Sequence, residues 1–243
     1  MSVEDTIAFC EMAREAGVDV LDVSRGNIVT AANALEVPPI DLAPGFNIDN
    51  AARIRRETGM PTIGVGRINT PQIAEKILEE DKVDLVVMGR AQLADPEFCN
   101  KARAGKTDSI VYCVGCDQGC LDGFADMRNF EHITCLRNPL VGHELDWKVE
   151  MTDEPERIAV VGGGVAGLMA AETLVARGHE AVVFEASDRL GGQFVTAGKA
   201  PGKREMEIAA ALMGEQARRS GVEVRLNTPF PNETIAIERF DRV

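Results

Sequence analysis

Apolar residues recur along the first hundred positions in two alternating rhythms. TIAFCEMAREAG (6–17) has the 3.6-residue spacing of a helix and is closed by Gly17. VDVLDVS follows as a short apolar run of the strand type. A polar, proline-bearing loop covers about 26–46, long enough to suspect a function for it. NIDNAARIRRETG then predicts a helix, PTIGVGR a strand, TPQIAEKILEEDK a helix and DLVVMGR a strand. Strands with little internal alternation, separated by helices of this length, predict βα units and a parallel sheet. Regular periodicity fades over 101–150. It returns with RIAVVGGG, a strand running into a glycine turn. VAGLMAAETLVARGH predicts a helix, EAVVFEA a strand, REMEIAAALMGEQARRSG a helix and VEVRLNT a third strand. In the last stretch, PFPNETIAIERFDRV, the pattern predicts no element that closes the unit. There is no internal repeat and no low-complexity tract. The pattern therefore predicts an α/β protein in three parts: 1–100, a loop-rich segment 101–150, and a second α/β unit 151–243. MTDEPER is the expected linker.

Composition narrows the classes. The formal net charge of −13 argues against nucleic acid and anionic membranes as partners, since both need clustered Lys and Arg. No apolar run approaches the roughly 20 residues of a membrane span. The first residues lack the basic start and apolar stretch of a signal peptide. The expectation is a cytoplasmic protein, where clustered cysteines indicate metal or redox chemistry more than disulfides.

Four of the six cysteines cluster in the loop-rich segment. Cys113, Cys116, Cys120 and Cys135 follow C-x2-C-x3-C-x14-C. Three thiols so closely spaced can face one centre at little loop-closure cost, and the fourth can arrive from a loop stiffened by Pro139. Four thiolates are the usual ligand set of an iron–sulfur cluster. A closed tetrahedral zinc site is the rival, although such sites more often show two C-x2-C pairs. Unligated thiols are the bland alternative. Cys10 and Cys99 sit among apolar helix residues and are expected to be plain buried thiols. His132 and His143 are expected at the surface or behind the ligands.

VVGGGVAGLMAAETLVARG carries G-x-G-x-x-G as Gly162, Gly164 and Gly167. The motif by itself is weak, but here it follows an apolar strand and opens a helix. Gly162 suits the tight turn, Gly164 the approach of a pyrophosphate, and Gly167 close packing of helix on strand. The pyrophosphate would sit on the N–H groups at the helix start. Glu185, 18 residues after Gly167 at the end of the second strand, is placed to bind adenosine ribose hydroxyls. A following LGGQ turn (190–193) is more typical of flavin than of nicotinamide sites. A glycine turn with no ligand is the alternative.

Two strands of the first segment end in Gly-Arg: Gly66–Arg67 and Gly89–Arg90. Backbone N–H groups and guanidinium forks at the C-terminal ends of barrel strands suit a phosphate. The arginines could instead pair with helix carboxylates.

Gly-Arg strand ends, four cysteines and an ADP-type turn, in this order, resemble the iron–sulfur flavoenzymes of the old yellow enzyme superfamily. That group includes NADH:flavin oxidoreductases, 2,4-dienoyl-CoA reductase, 2-enoate reductase and trimethylamine dehydrogenase. The resemblance spans essentially the whole chain. Its most specific parts are PTIGVGRINTPQIAEKILEEDKVDLVVMGRAQLADPEF, CVGCDQGCLD with TCLRNP, and VVGGGVAGLMAAETLVARGHEAVVFEASDRLGGQ. It implies the last three strands of an FMN-binding β/α (TIM) barrel over 1–100, a cluster segment over 101–150, and the start of a Rossmann-type FAD domain over 151–243. It implies that Gly66, Arg67, Gly89 and Arg90 contact FMN phosphate. It likewise implies that Cys113, Cys116, Cys120 and Cys135 hold a [4Fe–4S] cluster, and that Gly162, Gly164, Gly167, Glu185 and Gln193 contact FAD. The implied activity passes electrons from NAD(P)H through FAD and cluster to FMN, and then to an activated C=C bond of a small unsaturated substrate.

The gap before Cys135 is longer than the resemblance leads one to expect, and a short insertion around GFADMRNFEH would absorb it. Three of eight strands cannot close a barrel, and strands left unpaired are raw edges. The expectation is therefore an internal fragment of a longer protein that could associate with its own copies. No catalytic acid or nucleophile can be named within it. Two alternatives stay open: an amine dehydrogenase of the trimethylamine dehydrogenase type, and a non-catalytic electron-transfer module.

Overall fold

The computed structural model describes residues 2–27, 36–122, 132–231 and 238–243. The chain divides into two compact units, Met1–Gly142 and His143–Val243, and the cysteine segment belongs to the first.

In the first unit α1 (Val3–Glu15) starts on a reciprocal cap. Asp5 N–H donates to Ser2 Oγ at 3.2 Å and Ser2 N–H to the Asp5 carboxylate at 2.8 Å. Its buried face, Ile7 and Cys10, meets α2 (Ile48–Thr58), which buries Ile48, Ala51, Ile54 and Thr58 and ends at left-handed Gly59. α3 (Pro71–Glu79) is capped by Thr70 and has Pro71 in its first turn, where a missing N–H costs nothing. These helices cover three parallel strands in the order β1 (Leu21–Val23), β2 (Thr62–Gly64), β3 (Leu85–Val86). Leu21 lies opposite Thr62, and Ile63 opposite Leu85. Gly64 is required where α2 crosses β2, because a Cβ there would meet Ile48 Cδ1 at 2.7 Å and Val83 at 3.0 Å. Leu85 and Val87 remain exposed, so among the described residues the sheet does not close on itself.

Two short helices escape the sequence reading: α4 (Gly89–Ala94) and α5 (Phe98–Arg103). Each is too short to show a full apolar period. They are joined by buried Asp95, whose carboxylate accepts the N–H of Glu97 and of Val111 and pairs with Lys101 at 2.7 Å. Cys99, expected buried, is exposed on α5, because its neighbour Phe98 takes the inward position. The suggested insertion lies mostly outside the described residues, as do residues 28–35 of the long polar loop.

In the second unit β4 (Arg157–Val161), β5 (Glu180–Phe184) and β6 (Glu223–Arg225) form a parallel sheet in that order. Helices α6 (Val165–Ala176), α7 (Gln193–Ala197) and α8 (Arg204–Arg219) connect them. Both faces of β5 are buried. Ala181 and Val183 pack with Leu168, Leu190 and Ala217, and Val182 and Phe184 with Ala159 and Phe240. The closing element that the pattern does not predict lies at residues 241–243. Arg242 is bridged in parallel to Ile158, with Ala159 N–H to Arg242 O at 2.9 Å and Asp241 N–H to Arg157 O at 2.9 Å. The order becomes β6-β5-β4-(241–243), so the turn after β4 sits at the point where the strand order reverses, the usual ligand position of such sheets. Among the described residues no helix is long and apolar enough to cross a membrane.

Candidate functional sites

At the C-terminal ends of β1, β2 and β3 lies a cavity of about 300 Å³. Gly66, Arg67, Gly89 and Arg90 all line it, with Cys113 and Gly115 at one side. A Cβ at Gly89 would meet nothing within 4 Å, so the backbone is open to a ligand there, whereas one at Gly66 would meet the Phe46 ring at 3.0 Å. The arginines are already engaged. Arg67, only 8% exposed and in left-handed backbone (φ 52°), donates to the carbonyls of Ile40 and Leu42. Arg90 pairs with Asp117. The pocket fits a phosphate-bearing ligand by its open backbone and two cations, but both guanidinium groups also serve the neighbouring loops.

Those loops carry the cysteines. Cys113, Cys116, Cys120 and Cys135 line one small void of about 20 Å³, together with Arg90, Asp117 and Arg137. The segment is tied to the stretch after β2 by Asn69 Nδ2 to Cys113 O at 2.8 Å and to the loop before α2 by Ile40 N–H to Gly115 O at 2.7 Å. Thr134 N–H donates to Gly119 O at 3.1 Å and brings the Cys135 strand of the loop back to the first three cysteines. Burial pushes the thiols of Cys113, Cys116 and Cys120 up, Cys116 to about 11. Backbone N–H groups work against this: Gly115 N–H reaches Cys113 Sγ at 3.4 Å, and Gln118 and Leu121 serve Cys116 and Cys120. Donors aimed at sulfur suit thiolates bound to a cluster. Neutral thiols become ligands by releasing protons as the metal arrives. Among the described residues no three His, Cys, Asp or Glu side chains are arranged to hold a single metal ion. Burial likewise pushes Asp117 up, against the pull of Arg90.

The second unit assembles its predicted residues at the turn after β4. Gly162 has φ 98°, which favours glycine. A Cβ at Gly167 would lie 2.0 Å from Gly162 O, so helix and turn touch, while one at Gly164 would meet nothing within 4 Å. Glu185 reaches back to accept Gly163 N–H at 2.7 Å and the Ser187 N–H and hydroxyl at 2.8 and 2.7 Å. Burial raises its carboxyl, but these hydrogen bonds outweigh that and hold it below its ordinary value. The LGGQ turn packs alongside through Gly191 N–H to Gly163 O at 2.8 Å, and Gln193 begins α7 at the exposed rim. The open Gly164 and the carboxylate beside it fit an adenosine diphosphate group. The sequence reading did not single out Asn69, Gly115 or Asp117. Asp117 lies inside the cysteine motif and was the most findable of them.

Comparisons with known proteins follow the same division. Residues 1–109 match the NADH:flavin oxidoreductase / NADH oxidase family, and residues 160–217 an NAD(P)-binding Rossmann-like domain. The chain is 36% identical to a metal reductase of Desulforamulus reducens (97% of this chain, 35% of the relative). It is 35% identical to an NADH oxidase of Thermoanaerobacter brockii (97% and 36%). It is 34% identical to an N,N-dimethylglycine/sarcosine dehydrogenase of Chromohalobacter salexigens (88% and 30%). The solved structure of a 2-naphthoyl-CoA reductase with 2-naphthoyl-CoA superposes with a TM-score of 0.81 at 25% identity, over 94% of this chain and 34% of that one. The chain thus spans about a third of the length of the relatives it matches. Residues 1–109 thus belong to the NADH:flavin oxidoreductase / NADH oxidase family, and the likeness to the relatives runs on over 97% of this chain.

Proposed function

We propose that the chain is the electron-carrying part of an NAD(P)H-dependent flavin oxidoreductase that reduces an activated C=C bond, such as that of an enoate or enoyl thioester. The observation that carries this reading is a shared wall: Arg90 and Cys113 line both the strand-end cavity and the cysteine void. Bound at these places, FAD supplies hydride acceptance from NAD(P)H, a [4Fe–4S] cluster single-electron passage, and FMN hydride delivery to substrate. In this reading Gly66, Arg67, Gly89 and Arg90 hold the FMN phosphate end, and Cys113, Cys116, Cys120 and Cys135 hold the cluster. Gly164 offers open backbone to the pyrophosphate of FAD, Glu185 faces its ribose, and Gln193 closes the rim. Gly162 and Gly167 shape the turn itself. No residue of this chain is assigned as proton donor to the substrate.

Similarity to a dimethylglycine/sarcosine dehydrogenase favours one alternative, the same machinery run from an amine toward the flavin. Anaerobic purification of the complete protein, followed by iron, sulfide and flavin analysis, tests the cofactor set. About four irons are expected, and Cys116→Ala is expected to lose them while keeping FAD. Four irons retained in that variant would sink the ligand set. NADH is expected to bleach the flavin, and an enoate to restore its colour. Bleaching by a secondary amine but not by NADH would favour the dehydrogenase.

A further inference from the structure

Arg90 stands at the border of the two cavities in the first unit, and each could claim it. Its guanidinium is committed to Asp117, in a pair whose side chains are 19% and 11% exposed. Asp117 lies between Cys116 and Cys120 with left-handed backbone, φ 59°. Its carbonyl accepts the N–H of Leu121 at 3.1 Å and of Asp122 at 3.2 Å. It is therefore the pivot of the turn that carries both cysteines. Arg90 in turn is fixed at its base, since it follows the end of β3 and lies in the first turn of α4. The ion pair thus connects a rigid strand end to an irregular loop. Asn69, through Cys113 O, makes the corresponding tie for the first cysteine.

We propose that Arg90 is a positioning residue for the cysteine site: its pair with Asp117 holds Cys116 and Cys120 toward the same void as Cys113 and Cys135. This rests on the reading of the four cysteines as one ligand set, and it gives Arg90 a duty beyond a flavin phosphate. The physical signature is non-additivity. Removing one member of a largely buried pair leaves the other charge uncompensated, whereas removing both leaves none.

Arg90→Gln, Asp117→Asn and the double variant, each in the whole chain freed of iron, are labelled with iodoacetamide, and each cysteine peptide is followed by mass spectrometry. In each single variant Cys116 and Cys120 are expected to label about tenfold faster, with exposed Cys99 and buried Cys10 unchanged. The double variant is expected to be no faster than either single. Wild-type labelling rates in the single variants would overturn the proposal, and so would a double effect equal to the product of the two. FMN loss in Arg90→Gln with unchanged thiol labelling would also overturn it and assign the residue to phosphate. Iron uptake on reconstitution is read separately. A wild-type chain that takes up no iron, while the variants label as expected, supports the role of Arg90 and removes the cluster reading.

Discussion

Replacing Gly167 by Ala tests the second unit most sharply, because two effects of opposite sign meet there. Gly167 lies within α6, where alanine is ordinarily better than glycine by about 1 kcal/mol. The structure reverses the sign. The added Cβ would stand 2.0 Å from Gly162 O and 3.2 Å from Gly162 C, against a comfortable separation of roughly 3.5 Å. Both obstacles are backbone, so no rotamer change relieves them. Helix and turn must part by about 1 Å or more, which pulls on the bond from Gly162 N–H to Phe184 O at 2.8 Å. Overpacking of this kind costs up to about 3 kcal/mol, so the net loss is about 2 kcal/mol. For a unit of about 100 residues that corresponds to a melting temperature lower by roughly 8–16 °C. Circular dichroism melting of the whole chain measures it. Gly164→Ala is the control: its φ of −75° suits alanine and its Cβ meets nothing. That variant should melt within a few degrees of the wild type while binding ADP or FAD more weakly. A Gly167→Ala protein that melts at or above the wild-type temperature would refute the close approach of helix to turn, and with it the reason for the third glycine.

Gly115→Ala should destabilise the first unit by about 1–3 kcal/mol. Its φ is 63°, and a Cβ would lie 2.9 Å from Arg67 Nε and 3.1 Å from Ile40 N. An unchanged urea midpoint would contradict this. Glu185→Gln should flatten the acid limb of stability. The folded-state carboxyl lies below its ordinary 4.5, so its contribution is present above about that pH and fades as pH falls through the lower folded value. The gap between wild type and variant should therefore be full near neutrality and close in stronger acid. A gap that stays constant down to about pH 3 would mean that the carboxylate bonds to Gly163 and Ser187 contribute nothing.

The sequence by itself determined the features that depend on neighbours along the chain. The parallel βα order follows from apolar periods. The motif around Gly162 announces a tight turn after the strand, and the Cys113–Cys120 spacing brings three thiols to one void. All these rest on local backbone geometry, which a short stretch of residues specifies. Only the tertiary structure decided the partners that come from far away. Arg67, read from the sequence as a phosphate fork, also donates to carbonyls 25 and 27 residues earlier in the chain. Arg90 pairs with a carboxylate 27 residues later. Cys99 lies outside because Phe98 fills the inward position, which composition could not reveal. The pairing of residues 241–243 beside β4 was invisible for the same reason: a parallel strand is defined by hydrogen bonds to a segment more than 80 residues away. A side chain's type and spacing state what it can do. Which of its possible partners is within 3 Å is settled only when the chain has closed.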